Sequence, residues 1–504
     1  MGTQITSEMV LALLPELCLL ILLVAVIFYD RILKPATGRR VGLLTAWGSL
    51  AILLITLGVW LIFDQPSTSV SWPDDMYWGG MIRHDAVTLV FRVMFLSALV
   101  VTSLLSVDVK RLQRSEFYAL LITATIGFSL MAASADLIML FISLETASIS
   151  LYVLAAFSLR SNRSTEAGMK YFVYGAFASA VMLFGMSLLY GLFGGTNIYA
   201  LGNSLTNLIS ASGPIPASFN GVFLLAAVMV VFGFGFKVSA VPFHFWTPDV
   251  YEGAPSAVVA FLSTASKAAG FAIFIRVFTS GLFGLPEPAN EWWAMLVAMT
   301  VVTMTLGNFL AIFQTNIKRM LAYSSIAQAG YTMIGLVSLT PDGSGAAMFY
   351  LLMYVFTNIA AFGVVILVSN KTGSEEMSDF YGLSRRAPYL ALAMLFALLS
   401  LGGIPPTAGF FGKFFIFKAA VDAGFWWLAG IGVLNAFVAL YYYLNVVKYM
   451  YLYQPEGEIT SIPVSRAAKV ALGLTVFGII YLGVVAAPAF EWTRTAGAAF
   501  FLGS

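Results

Sequence analysis

The chain has 504 residues, 60% hydrophobic and only 10% charged, far below the roughly one quarter of charged residues in a soluble globular domain. Its net charge of +2, from 26 Lys and Arg against 24 Asp and Glu, offers neither a nucleic-acid-binding face nor an acidic tail. Cys18 is alone, and His84 and His244 are the only histidines, which excludes a cysteine-ligated iron–sulfur cluster and argues against a bis-histidine haem.

Apolar windows bounded by charge or by Pro and Gly fall at 9–28, 41–63, 86–107, 116–133, 136–158, 167–191, 219–243, 255–280, 292–313, 320–338, 344–369, 389–420, 425–452 and 467–488. They predict an all-α polytopic membrane protein with fourteen spans. The first window is not a cleaved signal, because Glu16 interrupts it and no basic region precedes it. The loop at 64–85, with Asp64, Asp74, Asp75, Asp85, Trp72 and Trp78, reads as an interfacial segment. Span 5 carries Glu145 in mid-membrane. Span 7 carries Lys237 five residues before Pro242, with His244 seven residues after the lysine, on the same face if the helix continues. Pro242 removes a helical hydrogen bond and frees a carbonyl near Lys237. Span 8 carries Lys267 near its middle. Span 12 contains Gly402-Gly403-Ile404-Pro405-Pro406 followed by Lys413, so it is expected to be a broken helix, like span 7. Gly412-Lys413 lacks the upstream Gly and the Ser or Thr of a phosphate-binding loop.

Seventeen Lys and Arg lie in loops after odd-numbered spans, against Arg83, Lys418 and Arg494 on the other side. This asymmetry puts both termini on the outer side. Spans 4–8 laid over spans 9–13 at a shift of 176 bring Lys237 onto Lys413, and Phe184-Gly185 meets Phe362-Gly363 at a shift of 178. Five is an odd number, so the second copy enters the membrane inverted. The expected organisation is a three-helix segment at 1–115, five-helix repeats at 116–280 and 292–456, and a C-terminal helix and tail at 457–504.

Arg92, Lys170, Lys237, Lys267, Arg276 and Lys413 fall inside spans. Arg92, Lys170 and Arg276 lie closer to span ends and can snorkel, and Glu16 reads as a first-turn charge. His244 near an interface reads first as a structural histidine. A charge at mid-membrane costs about 2.5–3.5 kcal/mol on insertion scales, so Glu145, Lys237, Lys267 and Lys413 point to a pair or a relay. A Glu–Lys pair at 4 Å gains about 4 kcal/mol at an effective dielectric of 20. Making or breaking it switches a lysine between holding and releasing a proton. The expected chemistry is proton transfer, with Glu145 and Lys237 as the switch, Lys267 as central relay and Lys413 as far station.

At these residues the chain resembles a known family. Glu145, Lys170 exactly 25 residues later, the block from Gly235 to Pro255 with Lys237, Pro242, His244, Trp246, Asp249 and Tyr251, then Lys267 and the run Asn316 to Ile326 are similar to the antiporter-like subunits of respiratory complex I. The likeness covers nearly the whole chain. Within the family, Lys413 and the lack of a long lateral helix after span 14 separate the chain from the larger subunits L and M.

The resemblance implies a proton-translocating membrane subunit with no redox centre or metal of its own. It assigns Glu145, Lys237, Lys267 and Lys413 the roles of pairing glutamate, its lysine, relay and exit lysine. It implies NADH, FMN, iron–sulfur clusters and quinone in partner subunits, M-like and K-like membrane neighbours, a peripheral redox arm, lipid contact and a location in the cell inner (cytoplasmic) membrane. Alternatives with the same core are a multisubunit cation/proton antiporter and the membrane arm of an energy-converting hydrogenase or ferredoxin-linked complex. A purely structural scaffold is a third.

Overall fold

The computed structural model describes residues 5–33, 38–63, 76–212, 217–279, 291–454 and 461–498. Lys34, Asp64, Trp72, Asp74 and Asp75 lie outside the described residues. The chain runs through α1 (Ser7–Ala12), α2 (Leu14–Leu33) and α3 (Arg39–Phe63), then a small antiparallel hairpin of β1 (Met76–Tyr77) and β2 (Ile82–Arg83), and then α4 (Ala86–Ser106). Five crossings follow: α5 (Ser115–Ala133), α6 (Leu137–Ala155), α7 (Asn162–Phe193), the broken pair α9 (Ala217–Val238) and α10 (Trp246–Gly253), and α11 (Ser256–Phe261) joined through a π-helical turn at Leu262–Ser266 to α12 (Lys267–Thr279). An additional helix, α8 (Ile198–Ser212), precedes α9. A second five comprises α13 (Glu291–Ile312), α14 (Ile317–Val337), α15 (Pro341–Thr372), the broken pair α17 (Pro388–Gly402) and α18 (Ala408–Asp422), and α19 (Trp426–Tyr451), with the one-turn α16 (Leu383–Arg386) before α17. The chain closes with α20 (Arg466–Val484) and α21 (Ala486–Ala498).

Each of the fourteen expected windows falls on one crossing, and eleven described helices are long and apolar enough to span a membrane unaided. The first window is displaced, because the helix is interrupted at Leu13 and restarts as α2. α7 and α15 overrun their windows to reach 32 residues each, about 48 Å. Hydropathy marks where lipid begins, whereas these helices end at their caps: Ser161 and Thr340 accept the first free backbone N–H groups, and Gly194 and Gly373 take left-handed conformations at the far ends. α8, the hairpin and α21 have no counterpart among the apolar windows. α21 packs where Gly497 and Gly345 let backbones touch.

The two five-helix copies are visible as matched detail. The caps of α7 and α15 are 179 residues apart. Gly127 faces the Ala147 backbone and Gly307 the Ala327 backbone, so close that an added Cβ would lie 2.7 and 2.6 Å from the respective nitrogens. Such small-residue contacts hold helices together in lipid, where burial of apolar surface drives little. The shift of 176, however, does not relate the lysines. α9 ends at Val238 and α17 at Gly402, 164 residues apart, because the first copy contains the extra α8. Lys237 therefore stands just before its break and Lys413 well beyond its own. α4, α15 and the α11–α12 crossing form the buried centre.

Candidate functional site

The first break lies between Val238 and Trp246. Ala240 N–H donates to Gly235 O, Val241 N–H to Thr303 Oγ1 at 2.9 Å, and the Trp246 indole to Phe236 O at 3.1 Å. Phe236 O, which loses its helical partner because Ala240 N–H turns to Gly235 O, is thus held by an indole rather than by Lys237. Lys237 is 2% exposed, and its Nζ donates to Ser148 Oγ of α6 at 3.0 Å. Glu145, one turn before Ser148, accepts from Ser179 of α7. Among the described residues no hydrogen bond or ion pair joins the glutamate to the lysine, and each is bonded to a serine of its own.

His244 does not share a face with Lys237, because α9 stops before reaching it. It is buried, its ring lies 4.6 Å from that of Phe245, and its Nδ1 has no hydrogen-bond partner among the described residues. Gly270 of α12 makes room for the Lys237 stem, since a Cβ there would sit 3.1 Å from Lys237 Cγ. One turn before Gly270, Lys267 follows directly on the π-helical turn and donates to Ser325 O of α14 at 2.7 Å. Such turns recur at functional positions because they re-aim a side chain without breaking the helix.

Between Lys267 and Lys413 lies a polar cluster contributed by α14, α17 and α19. Ser324 Oγ and Tyr443 OH of α19 are 2.5 Å apart, and Gln328 Nε2 donates to Tyr443 OH at 3.1 Å and to Leu401 O at 3.3 Å. Lys413 Nζ donates to the same Leu401 O at 3.0 Å and to Gly402 O at 3.1 Å. Here the carbonyls freed by a helix break are bound by the lysine. Gly403, at φ +83°, turns the chain out of α17 and leaves the lysine stem its space. Tyr350 donates to Gln328 Oε1, and the Lys413 ammonium lies 4.9 Å from the Tyr331 ring centroid. Among the described residues no hydrogen bond joins Lys237 to Lys267.

Four charges differ from expectation. Arg92 and Arg276 do not snorkel. Arg92 is 1% exposed and binds Glu16 at 2.8 Å, with Ser129 and the Ala12 carbonyl, so Glu16 is an ion-pair partner rather than a first-turn charge. Arg276 forms a fork on Asp85 at 2.6 and 2.9 Å and reaches Tyr199 OH and Ala132 O. Asp85 is therefore buried rather than interfacial. Burial alone would raise its carboxyl, but Arg276 and Arg83 outweigh that and hold it well below the usual carboxylate range. Lys170 keeps its place near a span end and bridges Glu166 and Asp249. Sequence reading also missed Lys318, counted with the loops, which is 2% exposed and donates to Ala254 O at 2.8 Å. Tyr443 and Gln328 were missed as well, since neutral polar side chains carry no charge signal. Only the seven-residue spacing of Lys318 and Ser325, and the one-turn step from Ser325 to Gln328, could have marked one polar face of α14.

A family profile described as NADH:quinone oxidoreductase/Mrp antiporter, TM matches residues 134–439. The chain is 42% identical over 491 residues to NAD(P)H-quinone oxidoreductase subunit 2 of Trichormus variabilis, covering 95% of this chain and 91% of the relative. It is 44% identical over 416 residues to NADH-quinone oxidoreductase subunit N of Moorella thermoacetica, covering 82% and 85%. A chain of respiratory complex I from Thermus thermophilus superposes with a TM-score of 0.77 at 31% identity, covering 95% of this chain and 98% of that one.

Proposed function

The chain belongs to the NADH:quinone oxidoreductase/Mrp antiporter membrane family, and from that premise we propose that it is the N-type, or subunit 2, membrane-arm subunit of a proton-translocating NADH:quinone oxidoreductase. The observation that carries the mechanism is the polar cluster of Ser324, Tyr443 and Gln328 lying between Lys267, which donates to Ser325 O, and Lys413, which shares the Leu401 carbonyl with Gln328. The Gln328 amide and the Leu401 carbonyl position the path, and the hydroxyls of Ser324 and Tyr443, which both donate and accept, pass protons together with water. Glu145 and Lys237 are the switch, each held by a serine of a neighbouring helix. Lys267 is the relay, Lys413 the exit station, and His244 an accessory acceptor beside the first break. The segments 116–280 and 292–456 supply one half of the path each.

Redox chemistry belongs to partners, which would bring NADH, FMN, iron–sulfur clusters and quinone. Reduction of quinone there shifts charge along the membrane arm and reaches this chain at Glu145. Glu145 lies in a stripe of exposed apolar residues on α6, Ile138, Ile142, Ile149 and Val153, and is itself only partly buried, and a mid-membrane carboxylate at the edge of lipid is costly. A K-like or M-like membrane neighbour covering that stripe removes the cost. The basic face is cytoplasmic and both termini are on the outer side of the inner membrane.

The experiment is to tag this chain in its native membrane, extract it gently, and look for flavin, iron–sulfur absorbance and NADH:quinone activity in the same fraction. Copurification is the expected result. Recovery with other antiporter-like chains and no redox centre would sink the assignment and favour a cation/proton antiporter.

A further inference from the structure

A cavity of about 230 Å³ opens on the basic face where the ends of α6, α7, α10, α11, α14 and α15 meet. Exposed Arg111 and Arg163 stand at its mouth, and Glu252, Ser164 and Glu375 are along its wall. At its floor is Lys318, whose side chain is only 3% exposed and whose Nζ reaches Ala254 O at 2.8 Å and Glu375 at 3.5 Å. No step described above uses this lysine. Yet it is the buried titratable group nearest to solvent on the helix that carries the axis. Ser325 is two turns further along α14, about 10 Å, and it is the residue whose carbonyl holds Lys267. Tyr251, three residues before Ala254, places its hydroxyl 3.5 Å from Ser325 Oγ.

A further hydroxyl lies along the same stretch, that of Tyr354, buried beside Tyr251 and facing Ser325. A row of hydroxyls between a water-accessible cavity and a relay lysine is what an intermittently hydrated path provides.

We infer that this cavity is the proton-loading port of the axis, with Lys318 as its loading group and Glu375 as its counter-charge. The inference rests on the proton-translocating reading above. The Lys318 ammonium passes its proton inward, by way of water and the hydroxyls of Tyr251 and Ser325, to the free amine of Lys267. The amine left on Lys318 takes a proton from water in the cavity, and Glu375 draws the renewed ammonium back. Protons then join the axis at Lys267, in the middle of the molecule, and Glu145 with Lys237 controls that lysine rather than feeding it.

The competing role for Lys318 is structural, as a cap on the Ala254 carbonyl. Lys318→Arg separates the two, because a guanidinium keeps the charge and the hydrogen bond but does not release its proton. In purified complex reconstituted into vesicles, proton pumping per NADH oxidised by Lys318→Arg is expected to fall to the level of Lys267→Ala, with flavin content unchanged. Wild-type pumping by Lys318→Arg would overturn the inference. If that variant does not assemble, Asn370→Cys at the cavity mouth, in a Cys18→Ala background, keeps the question open to test. Modification by a water-soluble maleimide should lower pumping relative to the Cys18→Ala parent, and complete modification without effect overturns the port. Normal pumping by Lys267→Ala would be a different failure, that of the translocation reading itself.

Discussion

The buried arginines are the residues whose surroundings depart furthest from what their positions in the sequence suggest. Arg276 and Asp85 are 191 residues apart and meet in a two-pronged pair with Thr88 and Tyr199 around it. Removing one member of a buried pair leaves an uncompensated charge, at about 3–5 kcal/mol. Asp85→Asn should therefore lower the unfolding temperature of the purified complex markedly, read by a thiol-independent thermal assay. The carboxyl is depressed in the folded state, so its contribution is complete above the unfolded pKa of about 3.9 and is lost only as pH falls through the lower folded value. The gap between wild type and variant should persist from neutral pH to about 4 and close only in stronger acid. An equal gap in strong acid would mean that Asp85 acts through shape, not charge. The sequence reading, a snorkelling Arg276 and an interfacial Asp85, misses the pair, because hydropathy is local and the pair is not.

Among elements, the two breaks were legible because proline and glycine act on their own backbone. What each break does with its freed carbonyls depends on which helix lies opposite. At the first, Trp246 folds back onto Phe236 O, and at the second, Lys413 binds Leu401 O and Gly402 O. α14 then acts as the spine, with Ser324, Ser325 and Gln328 facing α12, α17 and α19. Tyr443→Phe removes the hydroxyl that joins Ser324 to Gln328 and should lower pumping per NADH oxidised several-fold, at a stability cost near the roughly 1 kcal/mol of one hydrogen bond. Tyr389→Phe is the control, since Tyr389 OH donates to Lys469 O at the surface, away from this cluster. Equal effects of the two variants would remove Tyr443 from the path.

For the whole molecule, the outer surface carries its own information. A groove of about 670 Å³ on the basic half of the α6–α7 face, lined by Ile149, Tyr152, Val153, Met169 and Phe172 with Arg114 at its rim, continues the exposed stripe that contains Glu145. In a monomer this stripe would hold a carboxylate against lipid. A photo-crosslinking residue at Ile149 should therefore join this chain to a neighbouring membrane subunit in the intact complex. Crosslinks to lipid alone would leave Glu145 without the partner that the mechanism requires.

Composition and periodicity by themselves determined that the chain is a fourteen-span helical membrane protein, broken at two places, with lysines and a glutamate at mid-membrane and an asymmetry of basic loops. These are properties of single segments in lipid, where each helix must satisfy its own backbone. Only the tertiary structure decided that Glu145 and Lys237 are bonded to separate serines, that Lys237 and Lys413 occupy unequal places around their breaks, that Arg92 and Arg276 are paired, and that Lys318 lies at the floor of a cavity. Those outcomes depend on which side chains from distant segments come within about 3 Å of each other, and small-residue contacts such as Gly127 on Ala147 set that distance.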